Sequence, residues 1–562
     1  MVRRLILGAC ALAASACVPR PPRAAAPRPA DAVVEKDGVR WYEDSFLRTR
    51  DGIFEARFAG APYERGYAHG RLAYAQITAG EKDLDLLMHT LVPSGLRRWS
   101  LRELLAFSID RSNRFIGKAH QEEIQGLADA EIPDPLPGRW PPYARQLMLH
   151  ALHDFSQRFI DTIPLSGACS GFAADGSATA DGHVLLARNF DFEAGARFDR
   201  EKIVAAVVPD EGWRYLTVNF GGMTGVVSGV NEKGLAVSLQ SLSGGPTAVS
   251  GQPAILLAAD VLQQDATVEQ AIARIRAARV FVSDIYLLAD AAGTLAVVEK
   301  TPRETGVRRG KGVLSATNVA MTPEVLRRTG PPPPSSSSPK RQARLDELLE
   351  RRRTPLDVAS AVAILRDRRG KGSVPLGPGN RNAIDALIAC HSVVFDLTAR
   401  RAYVAAAPHT LGRYVCFDLD LLATAGPADP RYAALQAAGV PPDPDLASGA
   451  FGRYLRARHR NRAARLELDA GKFADARENA TRALEASPDF SEALACRGEA
   501  NLRLRKFDEA VSDFDAALRL DPGPPAFASE IRRFRDSAAG GKVPRKHLSF
   551  PLSLEGTIGA AE

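Results

Sequence analysis

Hydrophobic and polar positions divide the chain into stretches of different rhythm. From about Val39 to Gly167 apolar residues recur at three- and four-residue intervals, as in "APYERGYAHGRLAYAQI", "SLRELLAFSIDRSNRFI" and "QEEIQGLADA". That period predicts amphipathic helices. From Cys169 the rhythm changes. "HVLLARNFDF", "KIVAAVVPD", "RYLTVNFGG", "GLAVSLQSL", "FVSDIYLLAD", "TLAVVEK" and "HSVVFDLTARRAYVAAA" read as strands separated by turn residues. In "RYLTVNF", Leu216, Val218 and Phe220 alternate with Tyr215, Thr217 and Asn219, as a strand covered on one face requires. Helical stretches interrupt at "PAILLAADVLQQDATVEQAIARIRA", "KRQARLDELLERR" and "PLDVASAVAILRDR". Grouped strands with helices between them predict sheets with helical layers outside. "GPPPPSSSSPK", Gly330 to Lys340, is expected to be a flexible loop, its Ser-x-x-Lys a product of low complexity.

"GPADPRYAALQAAGVPPDPDLASG" marks a linker over 426–450. Beyond it an internal repeat begins. Phe473 and Phe507 are 34 positions apart, and Ala476/Ala510, Ala483/Ala517, Leu484/Leu518 and Pro488/Pro522 keep the same offset. The period and the Ala/Phe/Pro placement resemble tetratricopeptide repeats, here over 451–536. Two repeats bury little alone, so they are expected to pack on a flanking helix such as "YLRARHRNRAARLEL" or on the main domain. Such modules offer a concave groove, which points to a protein partner. The tail, 537–562, is expected to be loosely ordered.

Composition narrows the class. The 562 residues are 45% hydrophobic and 25% charged, ordinary for a globular protein with a sizeable core. The net charge of +7 is small for this length and the basic residues are scattered, so no nucleic-acid partner is expected. The first segment, "MVRRLILGACALAASAC", carries Arg3 and Arg4, an apolar run from Leu5 to Ala14 and small residues before Cys17. It reads as an export signal over 1–17, too short to span a bilayer. Its end resembles the bacterial lipoprotein processing site. The resemblance implies a lipid on Cys17, membrane attachment through it, and a place on the periplasmic side of the outer membrane or the cell surface. An ordinary cleaved signal with an incidental cysteine is the alternative. Residues 18–38, with "VPRPPRAAAPRPADA", form an extended Pro-rich tether.

Beyond the signal the cysteines are Cys169, Cys390, Cys416 and Cys496, far apart and with no Cys-x-x-Cys pair, which excludes a disulfide framework and a zinc site. Cys390, Cys416 and Cys496 sit among apolar neighbours, as small core residues do. Cys169 is different: Gly167, Ala168, Ser170 and Gly171 surround it. Such a backbone can come close to a substrate. It is open to three readings: a buried structural cysteine, a papain-like thiol with His183 or His391 as base, or a nucleophile that becomes N-terminal by self-cleavage. Neither histidine lies in a helpful local motif.

"ACSGFAADGSATADGHVLLARNFDF", with Cys169-Ser170 and then Arg188 to Asp191, resembles the start of the mature chain in autoproteolytic acyltransferases related to isopenicillin-N acyltransferase. These are cysteine N-terminal-nucleophile hydrolases, similar to the choloylglycine hydrolases. "AGAPYERGYAHGRL" and "EEIQGLADA" resemble the family's pro-segment, "GVNEKGLAVSLQSL" its strand-turn-strand with oxyanion contacts, "GVLSATN" a second strand ending at Asn318, and "KRQARLDELL" a helix with a functional arginine. The resemblance covers roughly Gly60 to Pro408.

The resemblance implies an α+β fold, a four-layer αββα sandwich over 169–425, with a helical pro-segment over 39–168 and the repeats behind. It implies cleavage between Ala168 and Cys169, after which the freed α-amine of Cys169 serves as base. A free α-amine has a pKa of about 7.7–8.0, close to working pH. Asp191 would orient that amine and Arg188 would favour the thiolate. An ideal strand places residues three apart on opposite faces, so the chain is expected to leave regular pleating near Asn189 and Phe190. For the oxyanion, Asn318 is the first side chain. Gln240 and Ser241 stand where relatives carry an asparagine, and a backbone N–H is the alternative. Asn231 in "NEKG" reads more as a turn residue, and either Arg341 or Arg344 matches the helix arginine. The implied activity is hydrolysis or acyl transfer at a linear, non-peptide or acyl-amino-acid amide, through a Cys169 thioester. The partner is a small-molecule amide; no metal or organic cofactor is implied. The rival is a membrane-anchored scaffold whose repeats bind a protein and whose core is inactive.

Overall fold

Alternating burial along the strands builds two sheets and three packed interfaces. The computed structural model describes residues 19–22, 33–138, 140–154, 168–192, 195–242 and 244–551. The export signal, Cys17 and residues 23–32 of the tether lie outside the described residues. Among the described residues the strands are β1 (Val34–Lys36), β2 (Val39–Tyr42), β3 (Ser45–Arg50), β4 (Ile53–Gly60), β5 (Ser170–Ala174), β6 (Leu185–Asp191), β7 (Ile203–Pro209), β8 (Tyr215–Asn219), β9 (Ser228–Asn231), β10 (Ala236–Ser241), β11 (Asp284–Ala289), β12 (Leu295–Lys300), β13 (Thr305–Gly310), β14 (Val313–Thr317), β15 (Ala389–Asp396), β16 (Arg401–Ala405) and β17 (Tyr414–Asp418). They form an 11-stranded sheet in the order β1-β2-β3-β4-β7-β8-β9-β10-β11-β12-β13 and a 6-stranded sheet in the order β14-β5-β6-β15-β16-β17.

The two sheets pack face to face. Leu216, Val218, Ile285 and Leu287 of the larger meet Ala173, Leu186, Val393 and Phe395 of the smaller in one buried cluster. The alternate residues Tyr215, Val237, Leu239, Tyr286 and Leu288 point the other way, onto the helices Ala254–Gln264 and Val268–Ala277. On the far side of the smaller sheet Phe172, Ala187 and Val394 pack on Leu345 and Leu349 of the helix Ser338–Glu350 and on Val362 and Leu365 of the helix Val358–Leu365. Period-2 alternation therefore yields an α+β fold with helix, sheet, sheet and helix layers.

The segment before Cys169 is not wholly helical. β1–β4 extend the larger sheet, and β4 joins β7 in parallel register, Phe54 opposite Ile203. The cause is local. Asp37-Gly38 and Asp51-Gly52 both hold positive φ at each residue and link β1 to β2 and β3 to β4 as two-residue hairpins. The helices that follow meet backbone to backbone. A Cβ on Gly66 would stand 1.9 Å from the Glu123 carbonyl oxygen, and one on Gly126 2.1 Å from that of Tyr63. Only glycine permits this crossing of the helices Pro62–Leu72 and Lys118–Asp129.

Three further expectations are corrected. The 426–450 stretch is docked, not free: Arg48 lies 4.4 Å from the Tyr432 ring centre, and the Tyr414 N–H donates to Val440 O at 2.9 Å. The Pro/Ser-rich stretch 330–340 is held at its end, where Ser337 and Ser338 are buried and Ser338 opens a helix. The tail packs to residue 551: Leu548 is buried and His547 pairs with Glu499 at 2.8 Å. The repeats form helices Ala450–Asp469, Phe473–Ala486, Ser491–Arg503, Phe507–Arg519 and Pro525–Ala539, each packed on the next or next but one. Their apolar cluster includes Leu387 and Leu411 of the main domain. No helix of the described residues is long and apolar enough to cross a membrane.

Candidate active site

β5 is made of small residues because it runs through a crowded place. It lies between β14 and β6, and a Cβ on Gly171 would stand 3.1 Å from both Ala187 O and the Gln240 amide. The ladder continues past the strand end: the Ala168 N–H donates to Asp191 O at 3.0 Å. The Ala168–Cys169 peptide is thus held at the rim of the sheet, with Cys169 only 2% exposed.

Gly171 pairs with Arg188 and Ser170 with Asn189. The pleat puts Arg188 on the same face as Cys169 and Asp191 on the other. β6 stays regular through Asp191. The expected break near Asn189 and Phe190 is absent there; the irregularity lies in the neighbouring β15, where pairing shifts between Ala389 and His391. Cys169 reaches both charges because a backbone group at a strand end is accessible from either face of the sheet.

Arg188 is fully buried. Its Nη1 donates to Val227 O at 2.9 Å and to Ser228 Oγ at 3.0 Å, while Nε and Nη2 have no partner. One carboxylate oxygen of Asp191, Oδ2, is also buried and unpartnered. Burial pushes the Cys169 thiol above its ordinary value, and Arg188 and then Arg341 oppose that rise. Burial pushes the Asp191 carboxyl up to about 7, opposed by Arg341 and reinforced by Asp385.

Arg341 separates cleanly from Arg344. Arg341 Nη1 donates to Cys169 O at 2.6 Å and to Ser170 Oγ at 2.7 Å; Nη2 donates to Asn318 Oδ1 at 3.1 Å and Ser338 Oγ at 2.8 Å. Arg344 instead donates to Asp367 through Nε and Nη2, at 2.9 and 2.7 Å, and is not part of this network. Asn318, directly after β14, donates to Ser241 O at 2.8 Å and Ser241 Oγ at 3.1 Å. Gln240 donates its amide to the carbonyls of Ala316 (3.3 Å) and Thr317 (3.1 Å), tying β10 to β14. Asn231 is a turn residue: it donates to Leu262 O and Asp265 O and accepts from Lys233 and Leu235, so its amide is spent away from Cys169.

The structure also brings in Ser228, which the sequence did not single out, and with it His391, one of the two histidines weighed as a base for Cys169. Ser228 Oγ joins Arg188 to His391 Nε2 at 2.8 Å, and the His391 ring stacks on Phe190 at 5.1 Å. His391 is held well below its ordinary pKa, by burial and then by Arg188, so it is a neutral wall of the site. His183 lies elsewhere, paired with Asp396 at 2.8 Å. Cys390, Cys416 and Cys496 are buried and in no disulfide.

An apolar cleft adjoins Phe190. It comprises two pockets that share Leu84, Leu149 and Leu152; Phe198 and Phe220 line one, Trp99, Trp140 and Phe192 the other. Phe190 stacks on Phe192 at 6.2 Å and lies 6.3 Å from Phe220. The cleft is built from residues before and after Cys169 in the sequence, and its lining does not include Cys169 itself.

Residues 177–408 match the family model described as acyl-coenzyme A:6-aminopenicillanic acid acyl-transferase. Over those residues the chain is similar to that family. Residues 461–525 match a tetratricopeptide repeat model. An uncharacterized protein of Archaeoglobus fulgidus is 26% identical over 257 residues, 43% of this chain and 42% of that one. The chain thus spans under half the length of that relative. Among solved structures, a Caenorhabditis elegans ortholog of N-acylethanolamine-hydrolyzing acid amidase is 17% identical, covering 41% of this chain and 93% of its own, with a TM-score of 0.31. Penicillin V acylase from Agrobacterium tumefaciens is 19% identical, covering 46% and 88%, with a TM-score of 0.30.

Proposed function

We propose that the protein is a self-cleaving cysteine hydrolase or acyltransferase that acts on a linear amide through a thioester on Cys169. One observation carries this reading. Beside the Ala168–Cys169 peptide, Arg188 and Asp191 keep buried polar atoms without partners. Unsatisfied buried charge is costly and is retained where a ligand or a reacting group completes it. A liberated α-ammonium on Cys169 would give Asp191 its missing partner, and a thiolate would give Arg188 its own.

Cys169 Sγ adds to the Ala168 carbonyl carbon, the C–N bond breaks, and the acyl group passes to sulfur while the nitrogen takes the thiol proton. Water then cleaves the thioester, leaving an Ala168 carboxylate, a free thiol and a free α-amine. In turnover the α-amine accepts the thiol proton as sulfur attacks a substrate amide, and returns a proton to the departing amine. Water or an acceptor amine takes the acyl group. Asn318 supports the oxyanion by exchanging its longer contact, to Ser241 Oγ, for the developing charge. Arg341 holds the Cys169 carbonyl throughout. The apolar cleft beside Phe190 suits an apolar acyl group on the substrate.

We also infer export as a lipoprotein attached through Cys17, which radiolabelled palmitate incorporation into wild type and not into Cys17→Ala would test. The functional test is hydrolysis of N-acyl amino acids of graded chain length by purified protein, with release of the free amine measured. Activity in wild type and none in Cys169→Ala is expected. No turnover and no labelling of Cys169 by a thiol-directed amide probe would leave a scaffold whose repeats bind a protein partner.

A further inference from the structure

The last helix of the second repeat, Phe507–Arg519, ends against the main domain. A helix C-terminus leaves carbonyls without partners. Here two main-domain side chains satisfy them. Asn380 Nδ2 donates to Leu520 O at 3.0 Å and Asp521 O at 3.1 Å, and Asn382 Nδ2 donates to Asp521 O at 2.9 Å. Both asparagines are buried, and Asn380 Oδ1 accepts the Asn382 N–H at 3.0 Å, so they act as one unit. The fit leaves no slack: a Cβ on Gly523 would stand 2.8 Å from Asn382 Oδ1, and one on Gly377 would stand 1.9 Å from Asp489 O.

The segments gripped are those that serve Cys169. Arg381 lies between the two asparagines, and Arg381 and Asp385 both act electrostatically on the Asp191 carboxyl. On the other side the repeats hold the approach to Arg341. The Ala526 N–H donates to Pro334 O at 2.9 Å, and Lys340, the residue before Arg341, pairs with Asp521. One repeat corner, 520–526, therefore touches both the strap that ends in Arg341 and the strap that carries Arg381 and Asp385.

We propose that the repeat region is a positioning arm of the active site, with Asn380, Asn382 and Lys340 as positioning residues that hold Arg341 and the surroundings of Asp191 in register with Cys169. This rests on the reading of Cys169 given above. A merely attached module would need no contact with these two straps.

The test uses the full chain with Asn382→Ala, Asn380→Asp and the milder Lys340→Gln. Asn380→Asp keeps size but replaces donors with an acceptor. The expected result is a fall of about tenfold in the self-cleavage rate and in kcat for the asparagine variants, because small misplacement of reacting groups is costly in rate. KM should stay within about twofold, since the substrate cleft lies elsewhere. Lys340→Gln should lose about twofold and Lys340→Arg should recover it. Amide exchange at 338–344 should quicken in every variant except Lys340→Arg, while the helix Ser491–Arg503 stays protected. Unchanged kcat together with unchanged exchange at 338–344 would overturn the proposal. Should an asparagine variant fail to fold, Lys340→Gln decides by the same two readouts. Should wild type neither cleave nor turn over, the functional reading falls, and exchange at 338–344 still decides whether the repeats hold that strap.

Discussion

Arg341 Nη1 lies 2.6 Å from the carbonyl oxygen of Cys169 and joins it across 172 positions of sequence. The guanidinium is fully buried and also holds Ser170, Asn318 and Ser338, so four parts of the site meet on one side chain. Replacing Arg341 by Met leaves those acceptors unpaired and removes a cation opposite Asp191. Loss of one partner from a buried ionic network costs about 3–5 kcal/mol. The expected outcome is a chain destabilised by that order in urea titration, with self-cleavage slowed by about 100-fold or more. Arg341→Lys keeps the charge but not the planar fork, and should recover only part of either property.

Asp191 gives a pH signature. Its carboxyl stands near 7 in the fold against about 3.9 in an unfolded chain. A raised folded pKa means that the neutral form is favoured in the native state. The associated stability is full below about pH 4 and is lost as pH rises through 7. In Cys169→Ala, where no α-amine is released, urea stability should therefore fall between about pH 4 and 7, by an amount on the order of a few kcal/mol from this group. Adding Asp191→Asn should flatten that fall. An unchanged slope would show that Asp191 ionises freely.

Gly126 supports a stability prediction remote from the chemistry. A methyl group there would stand 2.1 Å from Tyr63 O, which is main chain and cannot swing aside. Gly126→Ala should destabilise the fold by about 1–3 kcal/mol or more, read as a lower urea midpoint at unchanged m. Gly80→Ala, at a half-buried position of the helix Tyr74–Leu91 with nothing within 4 Å of the added methyl, should be neutral or slightly stabilising.

How much of this was legible in the sequence depends on the range of the interaction. Alternation along Tyr215–Asn219 and the 34-residue spacing are local patterns, and both correspond to elements of the structure, although the strand is covered on both faces and not on one as its alternation suggested. The two Asp-Gly hairpins before Gly60 were equally local, but the helical rhythm downstream masked them. Arg341 and Arg344 stand three apart on one helix, where spacing alone cannot rank them; contact with β5 and with Asp367 does. The shift at Cys390 lies in the partner strand, so nothing in "LLARNFD" could signal it. Ser228 with His391 and Asn380 with Leu520 are long-range pairs of ordinary residues and carry no sequence signature.

Leu149 lines the apolar cleft at both ends. Leu149→Trp should fill its middle. KM for long-chain N-acyl substrates is then expected to rise by about tenfold, while acetylated substrates keep theirs. Equal change for both chain lengths would place the acyl group elsewhere.

The central claim is that Cys169 becomes a chain terminus. Intact-mass measurement of purified protein, followed by N-terminal sequencing of the larger product, tests it directly. Wild type should yield two polypeptides, the second beginning Cys169-Ser170-Gly171, and Cys169→Ala one uncut polypeptide. A single intact wild-type chain that turns over amide substrate at full rate would contradict it.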